Sequence, residues 1–170
     1  MSMDMIKKIV FFDALNDEAK EKAREWFRDS NDMPFLTENI GEFITEELTE
    51  AGYTINVPVE VFYSLSYSQG DGVSFTVTLE RNGGRYFVTR NGHYMHDMTM
   101  DVSCESLEDF ASVECKSQLE EMRAIARKAE KFGYRQIELE NSDEVVDENI
   151  LANEYTFTLE GQRMEPDKII

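Results

Sequence analysis

From Val57 onward the apolar residues fall on alternate positions: Val59, Val61, Tyr63, Leu65 and Tyr67 are separated by mostly polar neighbours, and Val73, Phe75, Val77 and Leu79 repeat the pattern after a break. A period of two places all such side chains on one face of an extended strand. The breaks are Ser68-Gln69-Gly70-Asp71-Gly72, Asn82-Gly83-Gly84 and Asn91-Gly92, the residue types that tight turns demand. Extended runs joined by such turns fold back on their neighbours. The centre of the chain is therefore predicted to be an antiparallel meander of about four strands, the last running from Tyr94 to Val102.

On either side the spacing lengthens to that of a helix. Asn16 is a good N-cap, Asp17 and Glu18 suit a first turn, and Ala19, Ala23, Trp26 and Phe27 share a face, which predicts a helix ending near Asp29. Pro34 and Thr37 open a second, with Ile40, Phe43, Ile44, Leu48 and Ala51 on its apolar side and Gly52 as its stop. After the meander, Ser106 with Asp109 and Ser117 with Glu120 read as helix starts; the longer helix carries Leu119, Met122, Ala126, Ala129 and Phe132 inward and ends at Gly133. Tyr134 to Leu139 then reads as a strand, Ser142 to Ala152 as a short helix, and Tyr155, Phe157 and Leu159 as a last strand. The expected fold class is α+β, an antiparallel meander packed with N-terminal and C-terminal helices plus a C-terminal strand. At 170 residues, without a linker-like stretch, one domain over residues 1–170 is expected.

Charge is the most unusual feature of the composition. Lys and Arg total 17 against 35 for Asp and Glu, a net charge of −18. Such a surface repels nucleic acid and anionic membranes, so neither is expected as a direct partner. With 41% hydrophobic residues the chain still has the means to fold. No apolar run approaches the roughly 20 residues of a membrane span, and Ile9 to Phe12 is too short for a signal-peptide core. Cys104 and Cys115, eleven apart and in no ligand-like cluster, read as buried thiols, which fits a reducing cytoplasm. The acids are also segregated. From Asp29 to Glu80 there are ten and no Lys or Arg; from Gln136 to Gln162 there are eight and again no base. Glu38, Glu42 and Glu46, with Glu50 a turn further, stand four apart opposite the apolar stripe of the second helix, a spacing at which like charges destabilise a helix. Asp143, Glu144, Asp147 and Glu148 form a second patch. Acids without a local cation suit a surface that meets a basic partner; the plainer reading is solubility.

Other candidate sites carry less. His93 and His96, with Asp97, Asp101 and Asp71, are residue types that a divalent transition metal uses. In a regular strand, however, positions three apart face opposite sides, so a polar-surface role for the histidines is the simpler expectation. Ser64, Ser66 and Ser68 precede Gly70 and Gly72, yet no GxSxG elbow or GxxxxGK[ST] loop is present and no cofactor is expected. Asp71, between two glycines on a hairpin loop, is the best single candidate for a local functional residue.

Several segments carry a resemblance. Phe12-Asp13-Ala14-Leu15 followed by Ala19 and Ala23-Arg24-Glu25-Trp26-Phe27, then Tyr63 to Phe75, Gly92-His93-Tyr94-Met95-His96 and Ala152-Asn153-Glu154-Tyr155-Thr156-Phe157, resemble a family of small bacteriophage and prophage proteins labelled antitoxins of toxin–antitoxin stability systems. The resemblance implies a phage or mobile-element origin and a protein-neutralising role, with the Gln69-Gly70-Asp71-Gly72 loop and His93 with His96 as positions of interest. The function expected is a non-enzymatic acidic binding protein that occupies a basic surface of a host protein (a toxin, nuclease or other nucleic-acid-binding protein) as an antitoxin, defence inhibitor or DNA mimic. The alternatives are a small metal-dependent enzyme using His93, His96, Asp71 and Asp97, and a virion or structural component.

Overall fold

The computed structural model describes residues 8–165. Its elements are, in chain order, β1 (Ile9–Phe11), α1 (Asp17–Ser30), α2 (Leu36–Glu50), β2 (Thr54–Ser64), β3 (Gly72–Arg81), β4 (Gly84–Arg90), β5 (Met100–Ser106), β6 (Ser112–Val113), α3 (Lys116–Glu140), α4 (Asp143–Ala152) and β7 (Thr156–Thr158). The α+β class is as expected, and the meander is an antiparallel sheet of order β2-β3-β4-β5-β6, its fifth strand only two residues long. The chain divides into two compact units, one of residues up to Met33 with those from Ile137, the other Pro34–Gln136.

In the first unit the Asn16 side chain accepts the Ala19 N–H at 2.8 Å, starting α1 where the sequence places its cap. Ser142 does the same for α4. Ala19 and Ala23 are buried with Phe12, Leu15, Val146, Ile150 and Phe157. Trp26 meets Tyr155 and Phe157 edge to face, ring centroids 5.1 and 5.8 Å apart. The apolar run at Ile9 becomes β1, which pairs antiparallel with β7 from Ile9↔Thr158 to Phe11↔Thr156.

In the second unit the alternation of β3 is borne out: Val73, Phe75, Val77 and Leu79 are buried, and across the ladder Val77 faces Val88 and Leu79 faces Tyr86. Met100, Val102 and Cys104 continue the apolar face on β5. The helices supply Leu36, Ile40, Ile44 and Leu48 from α2 and Met122, Ile125, Ala126 and Ala129 from α3, with Phe43 and Phe132 stacked at 4.6 Å. Each such buried aliphatic side chain contributes about 1.5–3 kcal/mol relative to exposure.

Four local expectations are corrected. Tyr94 to Thr99 is a loop closed by a 3-10 turn at Asp97–Thr99, and strand β5 begins only at Met100. Ser106 and Asp109 build the turn between β5 and β6, where Ser106 Oγ accepts the Glu108 N–H and Asp109 Oδ1 the Ala111 N–H. Gly133 does not end α3, which runs on through 134–139 in place of the expected strand. A Cβ at Gly133 would lie 2.5 Å from Leu65 Cδ1 and 3.3 Å from Ile40 Cδ1, so this glycine serves close packing rather than termination. Finally, Cys104 and Cys115 are joined in a disulfide, Cα atoms 6.1 Å apart, because Cys104 pairs with Val113 and the chain needs only two more residues to bring the second sulfur back. The compartment inferred from unpaired thiols loses that support. No helix among the described residues is long and apolar enough to cross a membrane.

Candidate functional site

An open groove of about 960 Å³ runs along α2 and β2 in the second unit. One stripe of α2 supplies Thr37, Glu38, Gly41, Glu42, Thr45 and Glu46; β2 supplies Ile55, Pro58, Val59, Glu60 and Val61. The helix period sets this division. Ile40, Ile44 and Leu48 point into the core, which turns positions 38, 42 and 46 outward in a row. Successive rungs of that row are about 6 Å apart. The β2 side is apolar apart from Glu60, so the groove has an aliphatic floor and a carboxylate rim.

None of Glu38, Glu42, Glu46 or Glu60 takes part in an ion pair among the described residues. Three cations of α3 are engaged elsewhere: Arg123 with Glu120, Arg127 with Asp97 at 2.8 Å, and Lys128 with Glu47 at 3.3 Å. Glu47 is thus the one neutralised acid in the middle of α2, while Glu50 lies exposed on the last turn, outside the groove lining.

The second predicted patch behaves differently. Arg24 of α1 holds both carboxylate oxygens of Asp147, at 2.7 and 2.9 Å, and Arg28 donates to Asp143 and to the Asn141 carbonyl. The Asp147 hydrogen bond is the main reason the Arg24 guanidinium is held above its ordinary range. Two of the four acids in that patch are consumed within the unit, leaving Glu144 and Glu148.

Asp71 is consumed as well. Its Oδ1 accepts from the hydroxyls of Ser64, Ser66 and Ser68 at 3.0–3.1 Å, and its Oδ2 from the Ser66 and Ser68 N–H groups and from the Tyr134 hydroxyl at 2.6 Å. This donor set, led by Tyr134, holds the carboxyl well below the usual carboxylate range. The serine row is therefore a lining for one acid, and Asp71 organises the β2–β3 loop from within. Tyr134 also accepts the Tyr67 N–H, its ring 4.5 Å from that of Tyr67.

The β4–β5 loop lies against the same turn. A Cβ at Gly72 would come 2.6 Å from His96 Cα, and one at Gly70 2.8 Å from the Tyr94 ring, so both glycines are required by close approach. His96 Nδ1 accepts the Met98 N–H as cap of the 3-10 turn, and His93 is exposed on the loop. His93 and His96 are not set on opposite faces of a strand, since the segment is a loop. Even so, His93, His96, Asp71 and Asp97 are not gathered: among the described residues no three His, Cys, Asp or Glu groups could hold one metal ion. Glu130 of α3 has its carboxyl pushed up, chiefly by burial and then by Asp97 and Asp71.

Sequence reasoning missed Glu60 and the aliphatic floor. The available signal was Pro58, since a proline inside an alternating strand marks a sheet edge. Comparison of the chain with protein-family models, curated proteins and solved structures gave no match.

Proposed function

We propose that this protein is a non-enzymatic binding protein of inhibitor or antitoxin type, which neutralises a partner by taking one of the partner's basic segments into the α2–β2 groove. The observation that carries this reading is the row Glu38, Glu42 and Glu46 with Glu60 lining the same groove, four carboxylates around an aliphatic floor without an ion pair among the described residues. Like charges four apart oppose helix formation, and a cationic guest relieves that repulsion while its apolar stems cover Ile55, Val59 and Val61. Glu144 and Glu148 remain as a secondary acidic surface for steering; Asp71, Asp143 and Asp147 are assigned structural roles.

The test compares the native chain with a Glu38→Gln, Glu42→Gln, Glu46→Gln variant in capture from bacterial lysate at low and high salt. A basic protein retained by the native chain, released by salt and lost from the variant, with a circular dichroism melt no lower than native, is the expected result. Identical retention by the two chains rejects the reading.

A further inference from the structure

We propose that the basic segment enters the groove as an extended strand, adding to the free edge of β2 alongside α2; this rests on the groove reading above and specifies its geometry. β2 stands at the end of the sheet and pairs only with β3, so the backbone groups on its other side have no ladder partner among the described residues. The groove is lined by four consecutive residues, Pro58-Val59-Glu60-Val61. Pro58 and Val59 lie within the register shift between Val57 and Glu60, so the groove meets the regular edge of β2 at Glu60 and Val61. From Glu60↔Thr76 to Ser64↔Gly72 the register with β3 is unbroken, which presents a straight edge to a newcomer. Upstream, the register shift between Val57 and Glu60 and the missing N–H of Pro58 close the edge, which limits the addition to a short segment.

The carboxylate row fits the same guest. Alternate side chains of a strand recur every 6.6–6.8 Å or so, against about 6 Å for Glu38, Glu42 and Glu46. Over three rungs the mismatch is about 1.5 Å, well within the reach of lysine or arginine stems. A Cβ at Gly41 would lie 3.6 Å from the Val61 side chain and Thr37 Oγ1 is 3.5 Å from the Tyr63 hydroxyl, so α2 runs beside β2 in the opposite sense, and Glu38, Glu42 and Glu46 line the groove beside that strand. A second copy of this chain is a poor occupant, because its own Glu60 and α2 row would face these acids. The guest is a segment of another protein with Lys or Arg on alternate positions.

The probe is a labelled peptide with a Lys-Val-Lys-Val-Lys centre, titrated against the full native chain at low salt. Two versions carry N-methyl groups on alternate residues, one set on each edge of the strand. Strand addition predicts that one set weakens binding at least tenfold and the other leaves it within about twofold, since only one edge meets β2. Equal behaviour of the two sets overturns strand addition, as does tighter binding of an alanine-based helical peptide with lysines four apart. If the Glu38→Gln, Glu42→Gln, Glu46→Gln variant still loses the peptide in those cases, the groove reading stands without the strand. If neither peptide binds the native chain, both fall.

Discussion

Two stretches of this chain look alike on paper and differ in the folded molecule. Residues 29–80 and 136–162 are both acidic tracts without a single Lys or Arg. In the second, Asp143 and Asp147 are claimed by Arg28 and Arg24, residues 115 and 123 positions away. In the first, Glu38, Glu42 and Glu46 line a groove and form no ion pair among the described residues. The lesson is that absence of a cation in the neighbouring sequence is a weak measure of electrostatic frustration, because ion pairs are made across tertiary contacts. Frustration survives where acids of a helix face form no ion pair among the described residues, as at Glu38, Glu42 and Glu46, although Glu47 beside them is paired with Lys128.

The comparison breaks most visibly at Arg24. Arg24→Ala leaves Asp147 without its two-point partner, with both side chains less than a third exposed; the expected cost is about 1–3 kcal/mol in urea unfolding. A loss of only a few tenths means the second tract is no more settled than the first.

Asp71 is a third case, an acid used by its own loop. Its folded carboxyl titrates below the ordinary 3.8, so its contribution is complete above that value and fades as pH falls through the folded one. Asp71→Asn is therefore expected to melt below the native chain at pH 7, with the gap narrowing as the pH drops below about 4. A gap independent of pH removes the ionised carboxylate from the explanation.

The smallest effect has the opposite sign. Glu42→Gln relieves repulsion with Glu38 and Glu46 and is expected to raise stability by about 0.2–0.5 kcal/mol, less in high salt. Destabilisation in a thermal melt would show that Glu42 has a partner within the chain.

The sequence was read correctly where one local cause acts alone. Asn16 and Ser142 start helices because a side-chain oxygen three residues back satisfies a free N–H, and the alternation of Val73 to Leu79 encodes its own face. It misled where one residue type has two uses. Gly133 carries the mark of a helix stop, yet the need there is for Leu65 and Ile40 to come close. Asp71 between glycines reads as a candidate functional residue on a hairpin loop, and only the fold adds that the hydroxyl of Tyr134, 63 residues on, ties it in place.

Periodicity, caps, turn residues and total charge are properties of neighbours along the chain, and these alone determined the α+β class, the meander and the outward row on α2. The partners of Asp143, Asp147 and Asp71, the Cys104–Cys115 link and the open edge of β2 were decided only in three dimensions. Each depends on which distant residues the packed core brings within a few ångströms, and Coulomb and hydrogen-bond energies answer to that distance rather than to separation in sequence.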